Sequence, residues 1–321
     1  DMEQELKQAG LPLFSLETKT PLREFDLLGF TLQYEMTYTN ILNMLALGDI
    51  PIRTNERGES DPFVLAGGPC AYNPEPLAPF LDFVVLGEGE EVLGDIIDTF
   101  KDWRQKQGRR QDFLQAVAHI PGVYVPALYD VRYRPDGPIA SIHPSEPGIP
   151  ERVTKRIVHD LDRAPFSTKP VVPYIDVVHD RGMIELFRGC ARGCRFCQAG
   201  MIYRPVRERS RETLLKQARE LLAATGYDEI SLSSLSSLDY SQIVGLIDDL
   251  VQDCGSAGVR VSLPSLRVDS FAVEQAQKIH QVRRSSVTFA PEAGSQRLRN
   301  VINKNVTEED LFTAVRSAAE A

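Results

Sequence analysis

The sequence has few cysteines, no long apolar run and no excess of positive charge. Its 321 residues include only five cysteines, too few for a disulfide framework in a chain of this length. Lys and Arg total 36 against 45 Asp and Glu, a net charge of −9, which excludes a general nucleic-acid coat because such a surface must be basic. No apolar run approaches the roughly 18 residues of a membrane span, and the N-terminal residues lack a signal-peptide pattern. We therefore expect a soluble, cytoplasmic protein that does not enter a membrane.

The composition is that of a folded globular protein. Hydrophobic residues make up 42% and charged residues 25% of the chain, enough to bury a sizeable core. At roughly 150 residues per domain, the length predicts about two domains.

Residues 1–119 alternate short apolar strands with helices, a pattern typical of a parallel, doubly wound α/β sheet. The predicted strands are 26–31, 63–66 and 83–86, and the predicted helices are 38–47 and 90–107. Three strands are few for such a domain, so we expect a partial one. Gly67-Gly68 and Gly87-Glu88-Gly89 follow two of the strands, at the sheet edge where ligands usually bind.

Residues 120–181 are rich in proline, which predicts an ordered, extended connector. Short strands are predicted at 123–125 and 131–133, with a turn at Asp136-Gly137. Its histidines, among them His179, are more typical of surface or hydrogen-bonded residues than of metal ligands.

Residues 182–321 repeat strand and helix at intervals of about 30 residues, which predicts a parallel sheet or (βα) barrel with right-handed crossovers. The predicted strands are 183–187, 229–233, 260–263 and 286–289, and the predicted helices are 211–225, 241–253, 270–280 and 308–319. Four strands do not close a barrel, so we expect a partial (βα) barrel that is incomplete at its C-terminal side.

Three of the five cysteines lie within eight residues, on the loop that leaves the first strand of this second region. Cys190, Cys194 and Cys197 have the spacing C-x3-C-x2-C, and three thiolates on one loop can hold a [4Fe-4S] cluster with one iron left open. Gly189 and Gly193 give the loop freedom to wrap around it. A structural zinc site with His179 as fourth ligand is the alternative, although structural zinc usually takes two separated pairs of ligands. Cys70 and Cys254 lie apart, and we predict that both are buried free thiols.

With an aromatic residue before its last cysteine, the motif resembles that of the radical S-adenosylmethionine (SAM) superfamily. The signature C-x3-C-x-aromatic-C is met by Cys190, Cys194, Phe196 and Cys197. The resemblance implies that the three cysteines bind a [4Fe-4S] cluster, that its open iron binds SAM, and that Phe196 shields the cluster. It further implies reductive cleavage of SAM to a 5′-deoxyadenosyl radical, with electrons from a low-potential donor such as flavodoxin or ferredoxin.

The same resemblance suggests SAM contacts at the ends of the later strands, where barrel active sites collect. Ser233 and Ser234 occupy the place of a glycine-rich stretch that contacts the SAM amino group. Arg267 follows the third strand and is placed to meet a carboxylate, and Glu292 follows the fourth and could accept from ribose hydroxyls. A helix cap or a surface salt bridge is the alternative for each.

The first region resembles the cobalamin-binding domain that precedes the radical domain in one branch of the superfamily. This likeness is carried by the stretches 30–35, 65–69 and 87–90, whereas residues 170–174 and 178–181 of the connector resemble an uncharacterised subfamily of the same branch. Gly67 and Gly68 fit a passage for the nucleotide tail of cobalamin. The motif D-x-H-x-x-G, whose histidine would bind cobalt, is absent from the sequence, so these residues leave cobalamin binding open.

The branch resembled favours a cobalamin-dependent methyl transfer to an unactivated carbon. The alternatives are a tRNA methylthiotransferase-like enzyme, which would need three more cysteines upstream where only Cys70 is present, and a non-catalytic iron-sulfur or corrinoid carrier. The substrate is a small molecule or RNA, and DNA is disfavoured. Seven arginines surround the motif, either as a solvated lead-in to a helix or as a guide for an anionic substrate: Arg188, Arg192, Arg195, Arg204, Arg207, Arg209 and Arg211.

Overall fold

The computed structural model describes residues 2–175, 177–255, 258–263, 268 and 289–320. The chain divides into two compact units, Asp1–Val158 and His159–Ala321. Arg267, the predicted helix 270–280 and residues 286–288 of the last predicted strand lie outside the described residues, as does the side chain of Cys254.

The first unit contains four helices and six strands among its described residues. The helices are α1 (Met2–Ala9), α2 (Tyr38–Leu47), α3 (Gly89–Gln105) and α4 (Arg110–Val117). The strands are β1 (Leu27–Thr31), β2 (Phe63–Gly67), β3 (Phe83–Val85), β4 (Val123–Tyr124), β5 (Tyr129–Tyr133) and β6 (Ile139–Pro144). The predicted strands and the predicted helices α2 and α3 are confirmed within a few residues, whereas α1 and α4 were not predicted.

The main sheet of this unit has the order β1-β2-β3-β4. The first three strands are parallel, as expected, and β4 pairs antiparallel with β3. Buried residues of α3 recur at every fourth position, Val92, Ile96 and Phe100, so one face of the helix packs into the core. Around Phe113, aromatic rings pack at centroid distances of 4.5–6.1 Å.

The Pro-rich segment after α4 contributes to this first unit. β5 and β6 form a hairpin around the predicted Asp136-Gly137 turn. Further on, the N–H of Arg156 donates to the carbonyl of Leu86 at 2.8 Å, and the carbonyl of Arg156 accepts from Glu88 at 3.1 Å. The first compact unit therefore continues to Val158, and the functional boundaries at 119/120 and 181/182 stay predictions.

The second unit contains five helices and five strands among its described residues. The helices are α5 (Ala199–Ile202), α6 (Arg211–Thr225), α7 (Ile243–Gly255), α8 (Gln296–Val301) and α9 (Glu308–Glu320). The strands are β7 (Gly182–Glu185), β8 (Phe187–Arg188), β9 (Arg207–Glu208), β10 (Glu229–Ser233) and β11 (Arg260–Ser262). The helix α6 has the predicted bounds because Ser210 caps its first turn and Gly226, with φ +72°, ends it.

Strands β11, β10 and β7 form a parallel sheet in that order, which agrees with the predicted (βα) repeat. Ile184, Leu186 and Leu232 are fully buried in one core with residues of α6 and α7. Met183 and Glu185 alternate with these residues and therefore point to the opposite face, where the Met183 side chain is largely exposed. The carboxyl ends of the three strands lie at one edge, the edge that carries the cysteine loop.

No helix in the described parts of the chain is both long enough and apolar enough to cross a bilayer. This agrees with the absence of long apolar runs in the sequence.

Candidate metal centre

The three cysteines lie on a loop that is closed at its base by a short antiparallel ladder. Phe187 and Arg188 of β8 pair with Glu208 and Arg207 of β9, so the chain leaves the sheet at residue 189 and returns at residue 206. Gly189 has φ +94°, and a Cβ there would lie 2.6 Å from the carbonyl oxygen of Pro205. Only glycine fits this position, because a side chain would push the two ends of the loop apart.

Cys190, Cys194 and Cys197 are partly buried, and none of the three is in a disulfide. The N–H of Cys197 donates to the carbonyl of Cys194 at 3.1 Å, which bends the chain between the second and third thiol. Behind this bend, a Cβ added at the buried Gly200 of α5 would lie 4.0 Å from the Cys197 sulfur. The loop therefore presents three reduced thiols from a short, tightly turned segment.

No three His, Cys, Asp or Glu side chains among the described residues converge as the ligands of a single metal ion. In particular, Nδ1 of His179 lies 3.0 Å from a guanidinium nitrogen of Arg181, so the structure does not support the zinc alternative. A four-iron cluster makes a different demand, since each thiolate binds its own iron and the three sulfurs need not meet at one point. The donor set, three soft thiolates on one loop, fits such a cluster.

The arginines around the motif are engaged inside the second unit. Arg188 binds both carboxylate oxygens of Glu185, at 2.9 and 3.0 Å, and the almost fully buried Arg209 donates to the carbonyl of Leu161 and to Glu185. The other arginines donate hydrogen bonds to further acceptors in the second unit: Arg192 to Asp239, Arg195 to Val301, Arg204 to Cys190, Arg207 to Pro205 and Arg211 to Asp249. This pattern indicates that the seven arginines organise the loop. It weakens the alternative that they guide an anionic substrate.

The serine-rich stretch after β10 lies next to the cysteine loop. The carbonyl of Ser233 accepts from the N–H of Leu186 at 2.9 Å, which joins the ends of β10 and β7. Arg192 of the loop forms an ion pair with Asp239, just beyond the stretch. The stretch that contains the predicted Ser233 and Ser234 is thus joined to the cysteine loop through the Arg192–Asp239 pair, and Asp239 is a contact that sequence reasoning missed.

Within this stretch, two serine hydroxyls donate hydrogen bonds and a third has no described partner. Ser234 Oγ donates to Ser237 Oγ at 3.1 Å, and Ser237 Oγ donates to the carbonyl of Leu232 at 3.1 Å. Ser236 is only 1% exposed, and its Oγ has no hydrogen-bond partner in the described part of the chain. Because a buried hydroxyl without a partner is costly, this orphaned group fits a polar ligand such as SAM at the strand ends.

Glu292 and Phe196 are connected through Lys304. Glu292 adopts a left-handed backbone, φ +68°, and its carboxylate accepts from Lys304 Nζ at 3.0 Å. The same ammonium lies 5.9 Å from the centre of the Phe196 ring, which is 55% exposed. Lys304 was not singled out from the sequence, and no local pattern indicates it.

In the first unit, Gly67 and Gly68 end β2 at the carboxyl edge of the sheet, as predicted. Gly68 has φ +103°, and a Cβ there would lie 2.9 Å from the carbonyl oxygen of Leu32. The protein's own packing therefore requires Gly68, whereas a Cβ at Gly67 would meet only ordinary contacts. Nearby, Cys70 is buried as predicted, and burial together with the Glu35 carboxylate raises the pKa of its thiol.

Gly87 also has an internal role. It adopts φ +111°, and a Cβ there would lie 2.1 Å from the carbonyl oxygen of Arg156. The glycine turns after β2 and β3 are thus explained by close backbone approaches, and a role for Gly67 and Gly68 in cobalamin binding stays a prediction.

Two family models match the chain, one for each region. The model "Radical SAM proteins, N-terminal" matches residues 1–126, and the model "Radical SAM superfamily" matches residues 184–321. The chain belongs to the radical SAM superfamily. Membership implies a [4Fe-4S] cluster and SAM as cofactors, in agreement with the expectation from the cysteine motif, and it supports enzyme status.

Among curated proteins, this radical SAM chain is 28% identical over 321 residues to an uncharacterised protein of Methanocaldococcus jannaschii, with 96% of the chain and 59% of the relative covered. It is 23% identical over 266 residues to an uncharacterised methyltransferase of Pyrococcus horikoshii, with 80% of the chain and 51% of the relative covered. The chain thus spans between half and three fifths of the length of these relatives.

Solved structures of radical SAM enzymes share the fold. The cobalamin-dependent enzyme OxsB, with aqua-cobalamin and SAM bound, aligns with a TM-score of 0.57 and 17% identity, over 92% of this chain and 39% of its own. The methyltransferase TsrM from Kitasatospora setae, with cobalamin and a [4Fe-4S] cluster bound, aligns with a TM-score of 0.58 and 16% identity, over 93% and 55%. These likenesses confirm the predicted fold class.

Proposed function

We propose that this protein is a radical SAM enzyme in which Cys190, Cys194 and Cys197 hold a [4Fe-4S] cluster. When bound, such a cluster supplies the electron that cleaves a sulfonium C–S bond of SAM and yields a 5′-deoxyadenosyl radical. The observation that carries the proposal is the loop itself: it holds three cysteines within eight residues, none of them in a disulfide, and it is closed at its base by β8 and β9. Membership in the radical SAM superfamily supports the proposal that this loop binds the cluster.

The neighbouring residues have roles that follow from their contacts. The Ser233–Ser237 stretch offers a buried hydroxyl at Ser236 that has no hydrogen-bond partner among the described residues, suited to a polar group of SAM. Glu292 offers a carboxylate already oriented by Lys304, suited to the ribose hydroxyls. Arg204, whose guanidinium donates to the carbonyl of Cys190, adds positive charge next to the first cysteine, which stabilises an anionic cluster.

The finer proposal is a methyl transfer that depends on cobalamin. It is supported by the names of the relatives, a methyltransferase of P. horikoshii and the cobalamin-binding enzymes OxsB and TsrM. It is also supported by the parallel sheet of the first unit, whose carboxyl edge is the usual ligand edge in such folds. No histidine is within the first unit's strand-end turns at 32–38, 67–73 or 86–89, so we propose binding without a histidine ligand to cobalt.

Anaerobic reconstitution with iron and sulfide tests the cluster. The wild-type chain is expected to gain about four irons, and after reduction to release 5′-deoxyadenosine from SAM. Cys194→Ala is expected to lose the full cluster, whereas Cys70→Ala, which removes a buried thiol outside the loop, is expected to keep it. A full iron content in Cys194→Ala would contradict the proposal.

Titration with aquacobalamin tests the finer proposal separately. Binding to the wild-type chain is expected to shift the corrin absorbance bands, and the electron paramagnetic resonance of reduced cobalamin is expected to show no nitrogen coupling from a histidine. Absence of binding to a chain with an intact cluster would refute the cobalamin dependence and leave the radical SAM assignment in place.

A further inference from the structure

The turn that follows α8 makes three hydrogen bonds to the cysteine loop, although more than 100 residues separate the two segments. The N–H of Arg195 donates to the carbonyl of Ile302 at 2.9 Å, and its guanidinium donates to the carbonyl of Val301 at 2.6 Å. Nδ2 of Asn303 donates to the carbonyl of Gly193 at 2.9 Å. The turn, residues 301–305, thus contacts both residues that flank Cys194.

The 301–305 turn also has hydrogen bonds of its own outside the cysteine loop. Asn303 and Asn305 both adopt left-handed backbone, with φ +56° and +52°. The buried Arg299 donates to the carbonyls of Val306 and Ala293 at 2.8 and 2.9 Å, and its own carbonyl accepts from the N–H of Lys304. The turn is therefore held by contacts with residues 293–306 in addition to those with the cysteine loop.

The side chain of Asn303 lies directly against the middle of the cysteine loop. Gly193 has φ +71°, and the atom that a Cβ there would approach most closely is Asn303 Nδ2, at 3.6 Å, so this amide packs against the peptide that joins Gly193 to Cys194. That peptide is planar. A hydrogen bond to its carbonyl consequently also sets the direction of the Cys194 N–H and limits where the Cys194 thiol can go.

We propose that Asn303 is a positioning residue of the metal centre, which holds the Gly193–Cys194 peptide so that the second thiol is presented correctly. The inference rests on the proposed function and deepens it, because it assigns a role to a residue outside the cysteine motif. Asn303 does not contact the reacting atoms; it acts through Cys194.

The turn contains its own control. Asparagine tolerates left-handed backbone, so the backbone conformation alone is an alternative reason for an asparagine at position 303. Asn305 has the same conformation, but it is exposed and makes no described contact to the cysteine loop. Asn303→Gly and Asn305→Gly each remove a side-chain amide and leave the left-handed backbone unstrained. Asn303→Asp keeps the size of the side chain but loses the donor.

The first measurement uses the chain without cluster and follows alkylation of each cysteine by iodoacetamide with mass spectrometry. Loss of one hydrogen bond corresponds to roughly a three- to tenfold effect. Alkylation of Cys194 is expected to accelerate by about this factor in Asn303→Gly and Asn303→Asp, with Asn305→Gly like the wild type. Circular dichroism melts check that the second unit of each variant stays folded, because buried Cys70 reports only on the first unit. Equal Cys194 rates in all four proteins would overturn the inference.

The second measurement uses the reconstituted chain and follows iron release to a chelator, together with the electron paramagnetic resonance of the reduced cluster. Asn303→Gly is expected to release iron several-fold faster than Asn305→Gly and to show altered g-values, a change that a loss of general stability would not produce. Identical release and identical spectra would overturn the inference. If the wild-type chain holds no cluster, the proposed function fails, while the alkylation experiment still decides whether Asn303 orders the loop.

Discussion

At the scale of single residues, burial determines which charged groups and hydroxyls contribute most to the stability of the fold. Asp82, which is 2% exposed, accepts from Arg57 and Arg110 at 2.8 Å each and from the N–H of Val64 at 2.8 Å. Burial lowers the pKa of the Arg57 guanidinium, and the Asp82 carboxylate opposes that shift. Arg110 also lies 4.1 Å from the centre of the Phe63 ring, so this charge network is part of the core of the first unit.

Asp82→Asn is expected to destabilise the first unit strongly. The substitution leaves two buried guanidinium groups without their counter-charge, which costs about 3–5 kcal/mol. The measurement is urea unfolding, followed by circular dichroism. Asp98→Asn is the matched control, because Asp98 forms only an exposed pair with Lys101 at 3.4 Å and should change the unfolding midpoint little. Similar midpoints for the two variants would contradict the proposed role of the network.

Tyr240 is expected to make the second unit sensitive to high pH. Its hydroxyl donates to the carbonyl of Arg209 at 2.9 Å, and burial, assisted by the charge of Glu208, raises its pKa to about 12. The ordinary value is about 10, so the folded state holds this proton more tightly than the unfolded chain. The resulting stabilisation is complete below about pH 10 and is lost as the pH rises towards 12.

Urea unfolding of the wild type and Tyr240→Phe at about pH 9 and pH 11.5 checks this sign. Between these values the wild type is expected to lose on the order of 2 kcal/mol more than the variant, because phenylalanine has no proton to lose. Parallel losses in the two proteins would show that folding does not raise the pKa of Tyr240.

At the scale of elements, glycines determine how neighbouring segments approach one another. Gly87 permits the backbone of Arg156 to pass beside β3, and Gly189 permits the cysteine loop to close on Pro205. By contrast, Gly137 has an equally unusual φ, +104°, but lies in open space at the tip of the β5–β6 hairpin. Substitutions at these two kinds of glycine therefore distinguish the cost of backbone strain from the cost of a steric clash.

Gly87→Ala is therefore expected to cost more than Gly137→Ala. Both substitutions introduce strain of about 1–3 kcal/mol, but only the first adds a collision with the Arg156 carbonyl and breaks the pairing of residues 86–88 with the segment around Arg156. Thermal unfolding of the two variants provides the comparison. An equal fall in the midpoints would mean that the Arg156 segment is not held against β3.

At the scale of the whole molecule, the chain consists of two compact units, Asp1–Val158 and His159–Ala321, each with its own hydrophobic core. In the first unit, Val123, Val125 and Leu128 are buried in the common core, and β4 covers the open side of β3. The segment after residue 119 is thus required to complete the first core.

A fragment of residues 1–158 is expected to fold cooperatively, whereas a fragment of residues 1–119 is expected to aggregate or unfold at a much lower temperature. The shorter fragment exposes the edge of β3 and removes buried side chains, which leaves an unpaired strand and an open core. Circular dichroism melts of the two fragments provide the measurement. Equal melting behaviour would place the boundary of the folding unit at residue 119 instead.

Local patterns in the sequence were sufficient for much of this architecture. Helix α6 follows a serine cap and ends at a glycine, β10 is bounded by polar residues, and both have their predicted limits. Helices α4 and α8, of eight and six residues, were not predicted, because such short segments depend on the surroundings more than on their own propensity. The antiparallel direction of β4 could not be predicted either, because the sequence of a two-residue strand does not indicate which strand it pairs with.

The cysteine motif and the alternation of strands and helices were determined by the sequence itself, because ligand spacing and hydrophobic periodicity are properties of neighbouring residues. Only the tertiary structure decided that Asp239 and Asn303 contact the cysteine loop and that Lys304 contacts Glu292, or that Gly68 and Gly87 are required by their own backbone neighbours. These contacts join residues 12 to 110 positions apart, or more than 30 positions apart for the glycines. Such pairings arise when the chain folds, and a single sequence holds no local trace of them.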